Sequence, residues 1–310
     1  MACLLCQGSF GAIFTNLLSI DFEQAEGYSA GQPLGVQSKW LENDTNGSGI
    51  TNIWPGMGQS AFIGLNHLMA GDSQLTEQYP ITMPPLSGQY PYVSFSAAMS
   101  IQAPTTDESD GLIWAIGSTN GDVLFLLDFV PTNNGAGIVY WQTNGASAAF
   151  PSTNKFTNSV IYRLEIDMDF VHETWNASLS GRPITPVNLP IGSPVGLINY
   201  WWLLPTWHIQ HPGASGNEGM YFDHLRVVAG SSPPSIPQPA LAISETPANP
   251  PIAVSVQTEP GLPYALQFST NLHTWSALGQ TYATNLSWVT SNSLPAGSGQ
   301  RFYRAFAAPE

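Results

Sequence analysis

Three carboxylates recur at every second position of the stretch Tyr162–Gly181 (YRLEIDMDFVHETWNASLSG): Glu165, Asp167 and Asp169. Paired carboxylates can cleave a glycosidic bond, one as nucleophile or base and the other as acid. A retaining mechanism needs the two carboxyls about 5–5.5 Å apart. Residues four apart on a strand start about 13 Å apart at Cα. Glu165 and Asp169 can close that gap only through long side chains and strand distortion, and Asp169 is a short acid. The same residues, with Arg163, can instead form the solvated face of a sheet with charges partly paired among themselves.

Tyr200, Trp201, Trp202 and Trp207 form a second cluster. Indoles and phenols left partly exposed stack on sugar rings, whereas buried ones pack a core. Strand alternation sends Trp201 and Trp202 to opposite faces, so at least one of them belongs to the core. His208 and His211, with His224 further on, have the side chain of a metal ligand. In a loop their spacing fixes no common face, and too few ligands accompany them to close a site. No Gly-rich phosphate loop and no Gly-x-Ser-x-Gly elbow is present.

The elements that must hold these groups are strands. Tyr162, Leu164, Ile166, Met168 and Phe170 alternate with Arg163, Glu165, Asp167 and Asp169, the signature of a half-buried strand. Val171–Glu173 turns the chain. Trp175, Ala177 and Leu179 then resume the apolar side, while Asn176, Ser178 and Ser180 resume the wet one. Leu18, Ile20 and Phe22 alternate in a first strand, and Met220–Val228 reads as a closing one. Val93, Phe95, Ala97, Met99 and Ile101 alternate against Ser94, Ser96, Ala98 and Ser100. Leu112–Ile116 and Val123–Val130 are apolar on both sides, as central strands of a covered sheet are. Asn120-Gly121 marks a hairpin. Pro205–Gly219 reads as a polar loop and Thr105–Gly111 as an acidic turn.

Composition agrees. Charged residues make up 9% of the chain, against about 25% in ordinary domains. Ser, Thr, Asn, Gly and Pro replace them, which favours short strands and tight turns. With 21 acidic residues against 7 Lys plus Arg, the net charge is −14, and nothing supplies the basic footprint that nucleic acid requires. Cys3 and Cys6 both lie at the start, so the body of the chain has no disulfide framework. Met1–Phe14 reads as the remnant of an export signal or as a frayed tail, and no other stretch is long and apolar enough to span a bilayer.

Residues 18–228 resemble the concanavalin A-like lectin/glucanase jelly roll in its laminin-G-like form. The likeness rests on IDFE near Gly27-Tyr28, on YRLEIDMDFVHETWNASLSG and on the closing YFDHLRV. After a Pro/Ser linker at 230–239, residues 240–308 resemble the small immunoglobulin- or fibronectin-III-like module of exported bacterial proteins, through YALQFSTNLHTW and RFYRAF. The glucanase resemblance implies Glu165 as nucleophile, Asp167 as its tuner and Asp169 in the acid/base position, where that family carries Glu. The binding-module resemblance implies paired terminal strands, with Asp21, Glu23 and Asp223 as candidate ligands of a structural Ca²⁺; ordinary edge-strand acids are the alternative.

The expectation is an exported all-β protein: a jelly-roll β-sandwich at 17–229 and a small immunoglobulin-like β-sandwich at 240–310. Tyr264, Leu266, Phe268, Trp275, Trp288, Phe302 and Tyr303 are expected to fill the second core. The expected role is non-catalytic binding of a polysaccharide or of another surface protein, at a secreted or cell-surface location. A glycoside hydrolase using Glu165 and Asp169 is the alternative, and a structural envelope protein is a third.

Overall fold

The structure, a computed structural model, describes residues 12–42, 47–64, 74–82, 90–102, 104, 110–118, 123–132, 135–142, 148–191, 200–208, 218–233, 238–245, 252–292 and 300–307. Alternating and β-branched segments make strands throughout. The first are β1 (Phe14–Ile20), β2 (Leu41–Glu42), β3 (Ser48–Thr51), β4 (Ser60–Gly64), β5 (Gln74–Thr82) and β6 (Tyr92–Gln102). Next come β7 (Gly111–Ser118), β8 (Val123–Val130), β9 (Ala136–Gln142), β10 (Phe150–Thr157), β11 (Tyr162–Asp169) and β12 (Thr174–Leu179). β13 (Arg182–Pro183), β14 (Leu189–Pro190), β15 (Tyr200–His208) and β16 (Gly219–Gly230) complete the larger body. Six more follow: β17 (Leu241–Glu245), β18 (Ile252–Gln257), β19 (Pro263–Ser269), β20 (Ser276–Tyr282), β21 (Ser287–Asn292) and β22 (Phe302–Ala307). Among the described residues the only helices are two short 3₁₀ turns, Gln24–Glu26 and Leu34–Val36.

The chain is all-β, a jelly-roll β-sandwich followed by a smaller β-sandwich. One large sheet has nine strands in the order β13-β12-β11-β6-β16-β4-β3, with β1 also on β16 and β14 on β12. The other has seven, in the order β10-β9-β8-β7-β15-β5-β2. Their facing sides share one core. Phe95 and Phe222 from the first sheet both meet Trp114 of the second, at ring separations of 5.2 and 5.1 Å, and Trp175 meets Phe125 at 5.4 Å. Each such ring removes roughly 150–250 Å² from water, which makes these contacts dominant in holding the layers together.

The Tyr162–Gly181 hairpin forms as its alternation requires. Leu164, Ile166 and Met168 are almost completely buried, and Trp175, Ala177 and Leu179 follow them into the core. Four expectations change. β1 starts at Phe14, ahead of the clear alternation at Leu18, with a register shift between Asn16 and Leu18. β15 continues through Pro205 to His208, where a loop was expected. Its pairing to β7 is unbroken, while the pairs to β5 skip Leu204 and Pro205, where an N–H donor is missing. The serine face of β6 is buried: Ser94, Ser96 and Ser100 are all shielded beneath other parts of the chain. Conversely, Ile113, Leu126, Asp128 and Val130, on the outward side of β7 and β8, are only half-buried.

In the smaller sandwich β17-β18-β21 faces β20-β19-β22. Val254, Val256 and Leu266 form its buried centre, with Trp288 and Tyr303 packed against it. Tyr264 joins a separate small cluster with Leu262 and Ala283. Phe268 and Trp275 lie outside the core, where arginines cover them: Arg301 sits 4.8 Å above the Phe268 ring and Arg304 4.2 Å above Trp275.

Candidate functional site

Because Leu164, Ile166 and Met168 face the core, β11 presents Arg163, Glu165, Asp167 and Asp169 on the outer side of the nine-stranded sheet. That side is not an open cleft. Arg163 is buried and donates from Nε to Glu165 at 3.1 Å and from Nη2 to Ser96 at 3.1 Å, while its Nη1 pairs with Glu259 of the loop before β19. Beside it, Ser180 is buried rather than wetted: its Oγ donates to the Gly261 carbonyl and lies 2.5 Å from the Tyr282 hydroxyl. Gly261 has φ +82° and leaves no room for a Cβ against the Tyr162–Arg163 backbone. Tyr162 and Tyr282 meet edge-to-face at 6.5 Å, near a cavity of about 190 Å³. Further along, Trp54, Met57 and Tyr221 cover Ala98.

Of the three acids, Asp169 is bound into the turn. Its Oδ1 accepts from the Val171 and His172 amides at 2.9 and 3.1 Å, and its Oδ2 lies 2.6 Å from His172 Nδ1. Burial alone would raise its pKa, but these hydrogen bonds outweigh it and hold the carboxyl below its usual range. Asp167 is shifted the other way: burial raises it, a hydrogen bond with Ser94 partly offsets this, and the charge of Glu165 adds to the rise. A carboxyl held ionised in a turn is a poor proton donor, and the Arg163 that engages Glu165 is itself held by Glu259.

At the pairing of first and last strands, Asp21 and Asp223 come together as expected, with His224 beside them. Glu23 does not join them; it accepts from the Gln59 amide at 3.1 Å. β16 bulges at Asp223–His224, where its neighbour changes from β4 to β1, and His224 takes φ +51°. Asp223 is fully buried, accepts from the His224 amide at 2.7 Å and has its Oδ2 3.2 Å from His224 Nδ1. Burial pushes its pKa up to about 6 against the pull of His224. Arg226 Nη2 donates to Asp21 Oδ1 at 2.6 Å. Ca²⁺ takes six to eight oxygen ligands. A guanidinium already on Asp21 and an imidazole on Asp223 do not fit that demand.

Of the aromatic cluster, the side chains of Tyr200, Trp201 and Trp207 lie outside the described residues, as do Asp107, Glu108 and His211. Trp202 is described. Its neighbour Leu203 is in the core, so Trp202 points outward from the seven-stranded sheet, half-buried, with Gly117 and Pro80 as its cross-strand partners. On the same face, Leu204 pairs with Ala115, Thr206 with Ile113 and His208 with Gly111. Beyond them Asp128 lies between Ile113 and Tyr140.

Sequence reading missed Asp128. It is the one charge within VLFLLDFV, and its buried Oδ1 makes no hydrogen bond. Burial raises its pKa to about 6, with His208 pulling in the opposite direction. Gly111 makes room for it: a Cβ there would stand 2.6 Å from Asp128 Oδ1.

No protein-family model matches the chain, and no curated protein matches it. Among solved structures it is similar to a carbohydrate esterase from Shiga toxin-encoding bacteriophage phi24B, at 14% identity over 70% of this chain and 99% of that one, with a TM-score of 0.46. It is also similar to basic winged bean lectin with Tn-antigen, at 12% identity over 72% and 100%, TM-score 0.43. A third is the CBM2 module of the evolved Dit of Lactobacillus casei BL23 phage J-1, at 8% identity over 72% and 99%, TM-score 0.44.

Proposed function

We propose that this is a non-catalytic carbohydrate-binding protein acting outside the cell, with the outer face of the seven-stranded sheet as its binding face. Trp202 carries the reading: a half-buried indole on a sheet face, its neighbour toward β7 a glycine, offers a flat apolar platform. The acidic row supports the absence of glycosidase chemistry, since Arg163 engages Glu165 and the turn engages Asp169. In this reading residues 240–310 are an immunoglobulin-like module braced against β11 and β12, and Asp21, Asp223, His224 and Arg226 form an ion-pair clasp instead of a Ca²⁺ seat.

Native gels containing polysaccharide test the reading. The protein is expected to be retarded by at least one polysaccharide, to release no reducing ends from it, and to lose the retardation in Trp202→Ala. Reducing ends released by the wild type and abolished in Glu165→Gln would overturn it.

A further inference from the structure

The outer face of the seven-stranded sheet is differentiated along its length. β7 runs through its middle with Gly111, Ile113, Ala115 and Gly117 outward, so the floor is low at both ends. At one end Trp202 stands beside Gly117. At the other His208 stands opposite Gly111, and Asp128 leans over the same glycine with Tyr140 as its neighbour on β9. Trp202 and His208 are six positions apart on β15, about 20 Å at the usual strand rise. The carboxylate oxygen over Gly111, Oδ1, is buried without a hydrogen-bond donor, and Oδ2 is the Asp128 oxygen left open to one. Sugar hydroxyls are such donors, and they also accept from an imidazole N–H.

Charge narrows the ligand. Lys155 stands on this face at the edge, on β10, but β5, β7, β8, β9 and β15 contain no Lys or Arg. A uronate or sulfated chain laid on them would meet Asp128 without a cation to offset it, in a protein of net charge −14.

Resting on the glycan-binding reading above, we infer that the ligand is an uncharged oligosaccharide lying parallel to β7, stacked on Trp202 at one end and oriented by Asp128 and His208 at the other. A single sugar reaches only one end, so affinity grows with chain length until both are engaged.

The test uses the full chain. Native gels containing xylan, galactomannan or β-1,3-glucan are compared with gels containing alginate. Titration calorimetry then follows with the two-unit and six-unit oligosaccharides of whichever polymer retards the protein. Retardation by a neutral polymer and not by alginate is expected. The six-unit ligand should bind at least about 10-fold tighter than the two-unit one, the equivalent of about one good hydrogen bond or stacking contact. Asp128→Asn, His208→Ala and Trp202→Ala should each erase most of that difference, and Glu165→Gln none of it. Circular dichroism separates these losses from misfolding, and His208→Gln, which keeps a donor, should recover part of the His208→Ala loss.

Retardation by alginate, equal affinity for both lengths, or wild-type binding by Asp128→Asn and His208→Ala together would overturn the inference while leaving glycan binding in place. Failure of every gel would overturn the binding reading and this inference with it.

Discussion

The two large sheets turn unlike outer faces to their surroundings, and each is the reverse of what its strands suggest. β6, lined with serines, looks like a surface strand yet is buried, because Arg163, the 54–57 segment and the loop before β19 converge on its sheet. β8, apolar on both sides in sequence, leaves Leu126, Asp128 and Val130 partly open. Polarity of a face therefore does not decide whether it is covered. Small residues permit cover, since serine and alanine let another chain segment approach, whereas a broad apolar face with a recessed floor can receive a ligand.

The contrast can be broken most forcefully at Gly261. Gly261→Ala places a methyl against the β11 backbone at a left-handed φ, and a loss of about 3 kcal/mol or more in denaturant unfolding is expected. Arg163→Met comes next. It leaves Glu165 and Glu259 close together without their shared cation, and should cost about 2–3 kcal/mol while leaving retardation by polysaccharide unchanged. If binding fell with stability, the two faces would not be independent.

Acidity acts on both bodies of charge at a smaller scale. Asp128 and Asp223 each have a folded pKa raised above the unfolded value, to about 6. Their burial therefore favours folding fully below about pH 4, and that advantage is lost as pH rises through about 6. The melting temperature should fall between about pH 4 and pH 7. Asp128→Asn should remove about 1–2 kcal/mol of the fall, after allowance for its partial exposure, and should change little at pH 4. Asp169 has the opposite sign: its lowered pKa supports folding above the unfolded value, and the support is lost as pH falls through the folded one. Asp169→Ala should cost about 1 kcal/mol at pH 7 in thermal melts. The smallest effect belongs to EDTA, which should leave the melting temperature unchanged, since Arg226 already pairs with Asp21 and His224 lies against Asp223; a clear drop would restore a cation to Asp21 and Asp223.

Strand identity was legible wherever local alternation set it, as at Tyr162–Leu179 and Val93–Ile101. Non-local cover was not. Nothing in LEIDMD announces that Glu259, far along the chain, will meet Arg163, and nothing in Ser180 announces Gly261. Proline at 205 suggested a loop, yet a strand tolerates it where pairing to one neighbour lapses. At the candidate site Trp202 was readable from type and alternation. Asp128 carried a fainter signal, a lone charge in an apolar strand, and His208 carried less still, since it follows a proline and reads as part of a polar loop.

Strands β1 and β16 run antiparallel, with Phe14 opposite Gly230 and Ser231 donating to the Ile13 carbonyl. The two chain segments leaving this pair thus depart side by side. Tension applied between them would open the ladder rung by rung like a zipper, rather than load all its rungs at once in shear. The Asp21–Arg226 link, at the opposite end of the pair, would be among the last to feel the pull.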